Sequence, residues 1–542
     1  MGWANCSLFE MHINRVSSVS TDPLNFECPA DFEIEPFIKE LKKKFPLQEE
    51  SETSIHRTYC DTFDWRLYAQ GGTLDIESSD SGLRLNWRQE GAISDTRRID
   101  RPPRFVWDFS AVALRSRLEP VLEMRALLPQ AEIECRCRRF KWLNRDRKTI
   151  LRLYIERNRV LDPDKGQSYE LNSRIRVLPV KGYHKPVQRM AKALANHPGL
   201  TPASECQLSA ALSAIGRRPL DYSSKLAIRL EPQMRSDVAG QIILRHLLAA
   251  LKANEAGLRA DLDSEFLHDF RVAVRRTRSA LGQLKGIFPP EVVDRFAPRF
   301  AWLGRITGPT RDLDVYLLNF DDYKASLPVS IRDDLDPLYD FLKARQKQAH
   351  QEMVKALDSP DYRQLIDEWS DFLLAPLPEK PSAPNALVPI QALADRRIWR
   401  IYLRILKQGR AIGAGTPAEA LHELRKQCKK LRYLMEFFQS LYPKDRIKRL
   451  IKILKGLQDN LGDHQDLEVQ EQTLKAFSRE MMESRSVPSE TLLAMGLLVQ
   501  DLDRRRRRAR GEFADRFADF ASADHQASFR ALFDSRQHRE EP

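Results

Sequence analysis

His268, Arg271, Arg275 and Arg278 stand at helical spacing within Leu267-His268-Asp269-Phe270-Arg271-Val272-Ala273-Val274-Arg275-Arg276-Thr277-Arg278-Ser279-Ala280-Leu281. At about 100° per residue they share one side of a helix, while Phe270, Val274, Thr277 and Leu281 mark the adjacent buried side. Like charges one turn apart oppose an isolated helix by roughly 0.2–0.5 kcal/mol per pair. Such a face is either a solvated surface or a place prepared for an anion. Repetition favours the second. His422 follows His268 by 154 residues, and the same offset carries Arg271 onto Arg425, Arg275 onto Lys429, Arg276 onto Lys430 and Arg278 onto Arg432. A second block moves with the first: Gly308-Pro309-Thr310-Arg311-Asp312-Leu313-Asp314-Val315 is echoed by Gly462-Asp463-His464-Gln465-Asp466-Leu467-Glu468-Val469. Two blocks repeating in register are an internal duplication of one structural unit. The chemistry they offer is capture of a polyanion, with arginine suited to bidentate contacts with phosphate and a protonated histidine donating from both ring nitrogens. Asp312, Asp314, Asp466 and Glu468 read as carboxylates that orient these arginines, with metal binding as the lesser role.

The positioning elements are helices. Leu226–Arg259 carries an apolar stripe of Ile242, Ile243, Leu247, Leu248 and Leu251. The first basic helix follows, then Val292–Arg305 with Arg295, Arg299 and Arg305, then Leu335–Leu357 and Tyr362–Leu373. Residues 374–389, rich in proline, form a hinge between halves of about 223–373 and 390–522. The second half holds Arg396–Gln408, the His422 helix, Asp445–Asn460 with Lys448, Arg449, Lys452 and Lys455, and Thr491–Arg508, which ends in five consecutive arginines read as a solvated terminus. Residues 523–542 read as a polar tail.

The duplicated pattern resembles the CHAD family, the histidine-containing α-helical domain, over about 223–522. That resemblance implies an all-α domain of two pseudo-symmetric four-helix bundles facing each other across a basic cavity, and binding of inorganic polyphosphate there. The binding set is then His268, Arg271, Arg275, Arg276, Arg278, Arg305 and Arg311 in the first half, with His422, Arg425, Lys429, Lys430 and Arg432 in the second. Gln465 departs from the pattern where the first copy has Arg311, and Lys452 and Lys455 are the expected substitutes.

Residues 23–197 have a different texture. Thr73-Leu74-Asp75-Ile76-Glu77, Gly82-Leu83-Arg84-Leu85-Asn86-Trp87-Arg88 and Ile150-Leu151-Arg152-Leu153-Tyr154-Ile155-Glu156 alternate apolar with polar, as strands of an antiparallel sheet do. Helices are expected at Phe37–Lys44 and Arg115–Leu127. Tyr59-Cys60-Asp61-Thr62-Phe63-Asp64, Gly82-Leu83-Arg84-Leu85, the strand of Arg136, Arg138 and Arg139, and Leu178-Pro179-Val180-Lys181-Gly182-Tyr183 together resemble the CYTH family. This implies a closed β-barrel, the triphosphate tunnel, with Arg84, Arg88, Arg136, Arg138 and Arg152 as anion ligands. In that family a Glu-x-Glu-x-Lys strand holds a divalent metal. Here Glu33-Ile34-Glu35-Pro36-Phe37 has Phe37 in the lysine position and Pro36 within the motif, which marks the tunnel as degenerate. Glu27, Glu132, Glu134 and Glu156 are the remaining acidic candidates, without a cluster that assigns a metal site.

The fold class is therefore multidomain α+β: an N-terminal extension (1–22), the tunnel-like domain (23–197), a linker (198–222) containing Pro198, Pro202, Gly216 and Pro219, and the helical domain. Lys plus Arg number 88 against 76 for Asp plus Glu, a net +12, which suits polyanionic partners. Seven cysteines scattered through the chain do not make a disulfide framework. No apolar run approaches the roughly 20 residues of a membrane helix, and Met1–Glu10 has neither a basic leader nor an apolar stretch. A cytoplasmic location, associated with polyphosphate granules, and no membrane partner are expected. The leading function is polyphosphate binding without chemistry of its own and without a cofactor. Hydrolysis of triphosphate or polyphosphate with Mg²⁺ or Mn²⁺ in the tunnel is second. Nucleic-acid binding is third, since no helix-turn-helix, zinc finger or aromatic stacking motif stands in the sequence.

Overall fold

A computed structural model describes residues 24–89, 92–163, 165–203, 206–413, 415–483 and 487–534. The expected N-terminal extension and the end of the expected tail lie outside the described residues. The chain divides between Ser223 and Ser224 into two compact units.

The first unit is built on an antiparallel sheet of β1 (Leu24–Cys28), β2 (Leu47–Glu49), β3 (Thr53–Asp61), β4 (Gly72–Ser79), β5 (Gly82–Gln89), β6 (Ala92–Ile99), β7 (Leu128–Leu143), β8 (Thr149–Asp162), β9 (Gln167–Glu170), β10 (Ser173–Pro179) and β11 (Thr201–Pro202). Among the described residues, five α-helices accompany it: α1 (Ile34–Lys44), α2 (Arg66–Ala69), α3 (Val112–Leu122), α4 (His184–Ala195) and α5 (Gln207–Ala214). The strand order is β11-β1-β10-β8-β7-β3-β4-β5-β6, with β2 beside β7 and β9 beside β8. The expected closed barrel is not formed: among the described residues β6 has no pairing with β1 or β11. The outer edge of β1 is taken by β11, whose Pro202 has no N–H to offer a further strand.

Period-two alternation gives the sheet two faces. Leu151, Leu153 and Ile155 of β8 with Ile175 and Val177 of β10 pack on Ile38 and Leu41 of α1 and Met190 and Leu194 of α4. Farther along, Leu74, Leu85 and Trp87 pack on Leu114, Leu118 and Leu122 of α3. The opposite face is polar yet buried, with Arg57 2%, Asp75 0% and Glu156 1% exposed. Arg176 of β10 and Glu77 of β4 feel each other's charge, although four strand spacings, roughly 19 Å on a flat sheet, separate their strands. The sheet therefore curls over its polar face. Helix α5 falls within the expected linker 198–222, but it is packed: Leu208, Ala211 and Leu212 join Tyr59, Ile133 and Val160 in one cluster.

The second unit is helical: α6 (Ser236–Arg259), α7 (Ser264–Gln283), α8 (Pro290–Ile306), α9 (Gly308–Leu318), α10 (Phe320–Ala325), α11 (Asp336–Leu357), α12 (Pro360–Leu374), α13 (Ile390–Arg410), α14 (Ala418–Phe437), α15 (Lys444–Glu483), α16 (Ser489–Phe520) and α17 (Ala523–Phe533). The duplication is visible in the boundaries: an offset of 154 carries Ser264–Gln283 onto Ala418–Phe437 and the first residues of α6 and α8 onto those of α13 and α15. The copies differ where α8 ends and α9 begins. Pro309, at the start of α9, lacks the N–H that a continuing helix requires. Asp463 at the equivalent position of α15 supplies one, and that helix runs unbroken for 40 residues.

Three expectations change here. Residues 226–235 precede α6 as non-helical chain with a turn at 232–233 rather than forming its start, with Leu226, Ile228 and Leu230 buried. The five arginines from Arg504 lie inside α16, which continues to Phe520. The expected polar tail includes α17, whose Phe529 stacks on Tyr402 at 3.9 Å and whose Phe533 meets Tyr442 edge-on at 5.0 Å. The two halves also share a core, in which Leu313, Tyr316 and Leu342 of the first pack with Leu467, Leu474, Leu498 and Leu502 of the second. No described helix is long and apolar enough to cross a membrane.

Candidate functional site

Each basic helix buries one stripe and presents another. In α7, Phe270, Val274, Thr277 and Leu281 are buried, as are Leu424, Cys428, Leu431 and Met435 at the equivalent positions of α14. With those stripes in the core, His268, Arg271 and Arg275 of α7 and His422, Arg425 and Lys429 of α14 line one cavity of about 970 Å³. The positions i, i+3 and i+7 are the same in both copies. Arg311 joins from α9, Gln465 from α15, and Arg505 and Arg508 from α16.

The cations differ in how they are held. Arg271 donates through Nη1 to Gly304 O and Thr307 Oγ1, both at 2.9 Å, at the junction of α8 and α9. Arg425 donates to Asp466 at 2.9 Å, and Arg311 donates to Ser264 O at 3.0 Å with Glu265 at 3.6 Å. Gln465 shares a 2.7 Å hydrogen bond with His422 Nδ1. Arg508 pairs with Glu512 at 3.1 Å and Arg505 lies 3.8 Å from Asp501. Arg275 and Lys429, by contrast, have no hydrogen bond or ion pair with any described residue. Burial, then the charges of Arg425 and Arg275, bring the Lys429 amine down to about 8. Burial likewise lowers Arg271, and Arg275, Arg311 and Arg278 add to the effect. Burial raises the Asp312 carboxyl against the pull of Arg271 and Arg311. Lining the cavity are seven Arg and Lys side chains against five carboxylates, Asp312, Asp322, Asp463, Asp466 and Glu512. Asp466 and Glu512 hold Arg425 and Arg508 in place, and the balance remains positive.

Several expected residues stand elsewhere. Arg276 donates to Glu436 at 2.8 Å and to Ser224 O at 3.3 Å, so it ties α7 to α14 instead of facing the cavity. Arg432 approaches the same Glu436 at 3.6 Å. Arg278 and Lys430 are beyond the lining, and Arg305, Lys452 and Lys455 are exposed outside it. Arg505 and Arg508 line the cavity, where Lys452 and Lys455 were expected. In the sequence their arginine run reads as a solvated terminus, whereas the packing of α16 turns Arg505 and Arg508 toward the cavity.

In the first unit the polar face holds a different set from the one expected. Arg88 lies on it, bonded to Asp75 at 2.9 Å. Arg84 and Arg152 share its register but are exposed. Arg136 and Arg138 alternate to the other face, beside Phe140 and Trp142, where Arg138 pairs with Glu35 and Glu49; Glu132 and Glu134 have the same parity. The buried guanidiniums are Arg57, held to Glu77 at 2.7 Å and to Gln207, and Arg176, held to Glu156 at 2.9 Å. Arg174 is paired with Glu27. Burial works against the charge on Arg57, but the carboxylates of Glu156, Glu77 and Asp75 keep it well above its ordinary value. Arg57 was legible as a charge in the apolar phase of Ile55-His56-Arg57-Thr58-Tyr59. A metal does not fit these acids as they stand, since each is engaged by a guanidinium, and among the described residues there is no group of three or more His, Cys, Asp or Glu placed to hold an ion.

The chain matches the CHAD domain family over residues 242–475. An uncharacterized protein of Mycobacterium tuberculosis is 26% identical over 301 residues, and the match covers 53% of this chain and 55% of that relative. The chain thus spans about half the length of the curated relative it matches. Among solved structures, the CHAD domain from the plant Ricinus communis is 24% identical with a TM-score of 0.43, covering 57% of this chain and 96% of that one. PptA from Streptomyces chartreusis is 17% identical with a TM-score of 0.42, covering 52% and 99%.

Proposed function

We propose, from the CHAD domain at residues 242–475 as premise, that the helical unit binds inorganic polyphosphate in the cavity between α7 and α14 and performs no chemistry on it. The observation that supports this most directly is that two equivalent cations, Arg275 and Lys429, face one cavity without a hydrogen bond or ion pair to any described residue. Lys429 is half-buried, and its charge is disfavoured there until an anion arrives, while Arg275 is exposed beside it. Polyphosphate offers about one negative charge per phosphate and no bases to read, so it asks for a track of cations at regular spacing, which i, i+3, i+7 from two helices supplies. Of the carboxylates at the cavity wall, Asp466 and Glu512 hold Arg425 and Arg508.

Hydrolysis in the first unit is the second reading. It is disfavoured because Arg57, Arg88, Arg174 and Arg176 are already matched by Glu77, Asp75, Glu27 and Glu156, so a triphosphate would have to displace the protein's own carboxylates. Nucleic-acid binding rests on charge alone. One experiment separates the three. The full chain is incubated with inorganic triphosphate or long-chain polyphosphate and Mg²⁺ or Mn²⁺, with phosphate release and retention followed together and DNA of equal charge as competitor. Retention without release, resistant to DNA, is expected. Release lost in Arg88→Ala but kept in Arg275→Ala would replace this reading by the hydrolase, and equal displacement by DNA would replace it by a general polyanion binder.

A further inference from the structure

We propose that a second anion site, for a phosphoryl oxyanion, lies at the N-terminal end of α14. A cavity of about 260 Å³ there is lined by Thr416, Ala418, His464, Arg506, Arg507 and Arg510.

Comparison of the two repeats carries the inference. The first four N–H groups of a helix lack intrahelical partners and carry partial positive charge. At α7 the Asp263 carboxylate meets them, accepting from the N–H groups of Glu265 and Phe266 at 2.9 and 3.2 Å. The equivalent residue before α14 is Pro417, and no side chain caps that helix. The offset of 154 also carries Glu352, Met353 and Ala356 of α11 onto Arg506, Arg507 and Arg510 of α16. The first half has a built-in carboxylate and no arginine at the positions equivalent to these three, its Arg311 reaching Ser264 O from α9 instead; the second has three arginines and, among the described residues, no built-in carboxylate. A bound oxyanion would restore the missing negative charge.

The lining points the same way. His464 is 6% exposed, lines the cavity, and makes no hydrogen bond to any described residue. Burial, helped by Arg506 and Arg510 and opposed by Glu468, holds its pKa below the ordinary value, so a neutral ring faces the space. Arg510 spends Nη2 on the carbonyls of Gly413 and Thr416 at 2.8 and 2.9 Å, while its Nη1 is buried with no partner among the described residues. Asp503 pairs with Arg506 and Arg507 at 2.6 and 2.7 Å, and Glu471 lies 3.4 Å from Arg506. These acids fix two guanidiniums and leave the third to the ligand.

Helix α16 separates this site from the main cavity, with Arg505 and Arg508 toward one and Arg506, Arg507 and Arg510 toward the other. All five lie within two turns of a helix about 10–12 Å across. The oxyanion can therefore be free phosphate or the terminal phosphate of a chain whose body lies in the main cavity. The site itself does not depend on the polyphosphate reading; only the second source does.

The test uses the full chain carrying Arg275→Ala and Lys429→Ala, which disables the main cavity, and compares inorganic phosphate with chloride at equal ionic strength. Phosphate is expected to raise the melting temperature by roughly 2–4 °C. Adding Pro417→Asp supplies the carboxylate of the first repeat, so it should raise the baseline and erase the phosphate increment; Arg507→Ala should reduce the increment without raising the baseline. In the protein with its main cavity intact, weaker polyphosphate binding on Pro417→Asp would assign the chain end as a source, and unchanged binding would assign free phosphate. No phosphate increment before Pro417→Asp is added, or an increment that survives both Pro417→Asp and Arg507→Ala, overturns the site. Failure of polyphosphate binding alone would overturn the function proposed above and leave this site standing.

Discussion

Arg275 and Lys429 occupy equivalent positions of two repeats 154 residues apart and face the same cavity, near enough that the charge of Arg275 helps depress the Lys429 amine. Neither is neutralised by a described residue. Other cations of the cavity have structural duties, Arg271 at Gly304 and Thr307 and Arg425 at Asp466. This pair is therefore where binding separates most cleanly from folding.

Arg275→Ala combined with Lys429→Ala should weaken polyphosphate binding by about 10²–10³-fold, taking roughly 1.5–3 kcal/mol for each charged hydrogen bond with allowance for solvent. The melting temperature should hold or rise slightly, because the substitutions remove repulsion and little buried apolar surface. Titration of polyphosphate and a thermal melt on the same preparation check both halves of the claim. A loss smaller than tenfold would remove these residues from the binding track.

Lys429 also sets a pH dependence. Its folded-state value near 8 lies below the ordinary 10.5, so the empty cavity sheds this charge as pH rises through 8, whereas a bound phosphate favours keeping it. If phosphate restores the ordinary value, affinity should fall roughly 25-fold between pH 7 and 9.5, with proton uptake on binding in that window. Stability of the empty protein moves the other way. The unfolded chain binds more protons between about 8 and 10.5, so this group's contribution to stability rises with pH there. Tyr316 and Tyr323 face the same cavity, but burial pushes both hydroxyls up, Tyr316 to about 12 and Tyr323 beyond. Calorimetry in buffers of different ionisation enthalpy measures the uptake. Its persistence in Lys429→Met would assign the proton elsewhere.

The halves of this site were unequally legible in the sequence. A duplicated i, i+3, i+7 spacing fixes which side chains share a helix face, and His268, Arg271, Arg275 and their counterparts face the cavity accordingly. Spacing does not say where a face ends. Arg276 is one residue from Arg275 in a basic run, and only the approach of α14 turns it toward Glu436. Arg505 and Arg508 carry no local signature beyond charge, and their place depends on how α16 rotates against α15. In the first unit alternation located the strands, but the parity of Arg136 and Arg138 relative to the polar face depends on pairing with β8. Closure depends on edges, which a strand's own residues do not specify.

Arg276→Met separates folding from binding in the opposite sense. The Arg276 and Glu436 side chains are 15% and 18% exposed, so losing one partner leaves a largely buried charge with only Arg432 nearby. A destabilisation of about 2 kcal/mol is expected, with polyphosphate affinity changed less than about threefold once the protein is folded. Denaturant unfolding and titration below the transition test this. Collapse of affinity at undiminished stability would place Arg276 in the site after all.

Gly409 tests whether the site depends on how α13 supports α16. A Cβ added at Gly409 would stand 1.9 Å from the Phe517 ring, so the two helices meet at a distance only glycine permits. Gly409→Ala must push the ring or the helix aside and should destabilise by roughly 1–3 kcal/mol. Phe517 lies on the helix that carries Arg505 and Arg508 to the cavity, so a displaced α16 should also weaken polyphosphate binding several-fold. Phe517→Leu in the Gly409→Ala background removes the obstructing ring edge and should recover part of both losses, although Phe517→Leu alone destabilises. Unfolding free energies and affinities of the two single variants and the double variant form a cycle. A coupling indistinguishable from zero would show that the helices do not bear on each other through this contact.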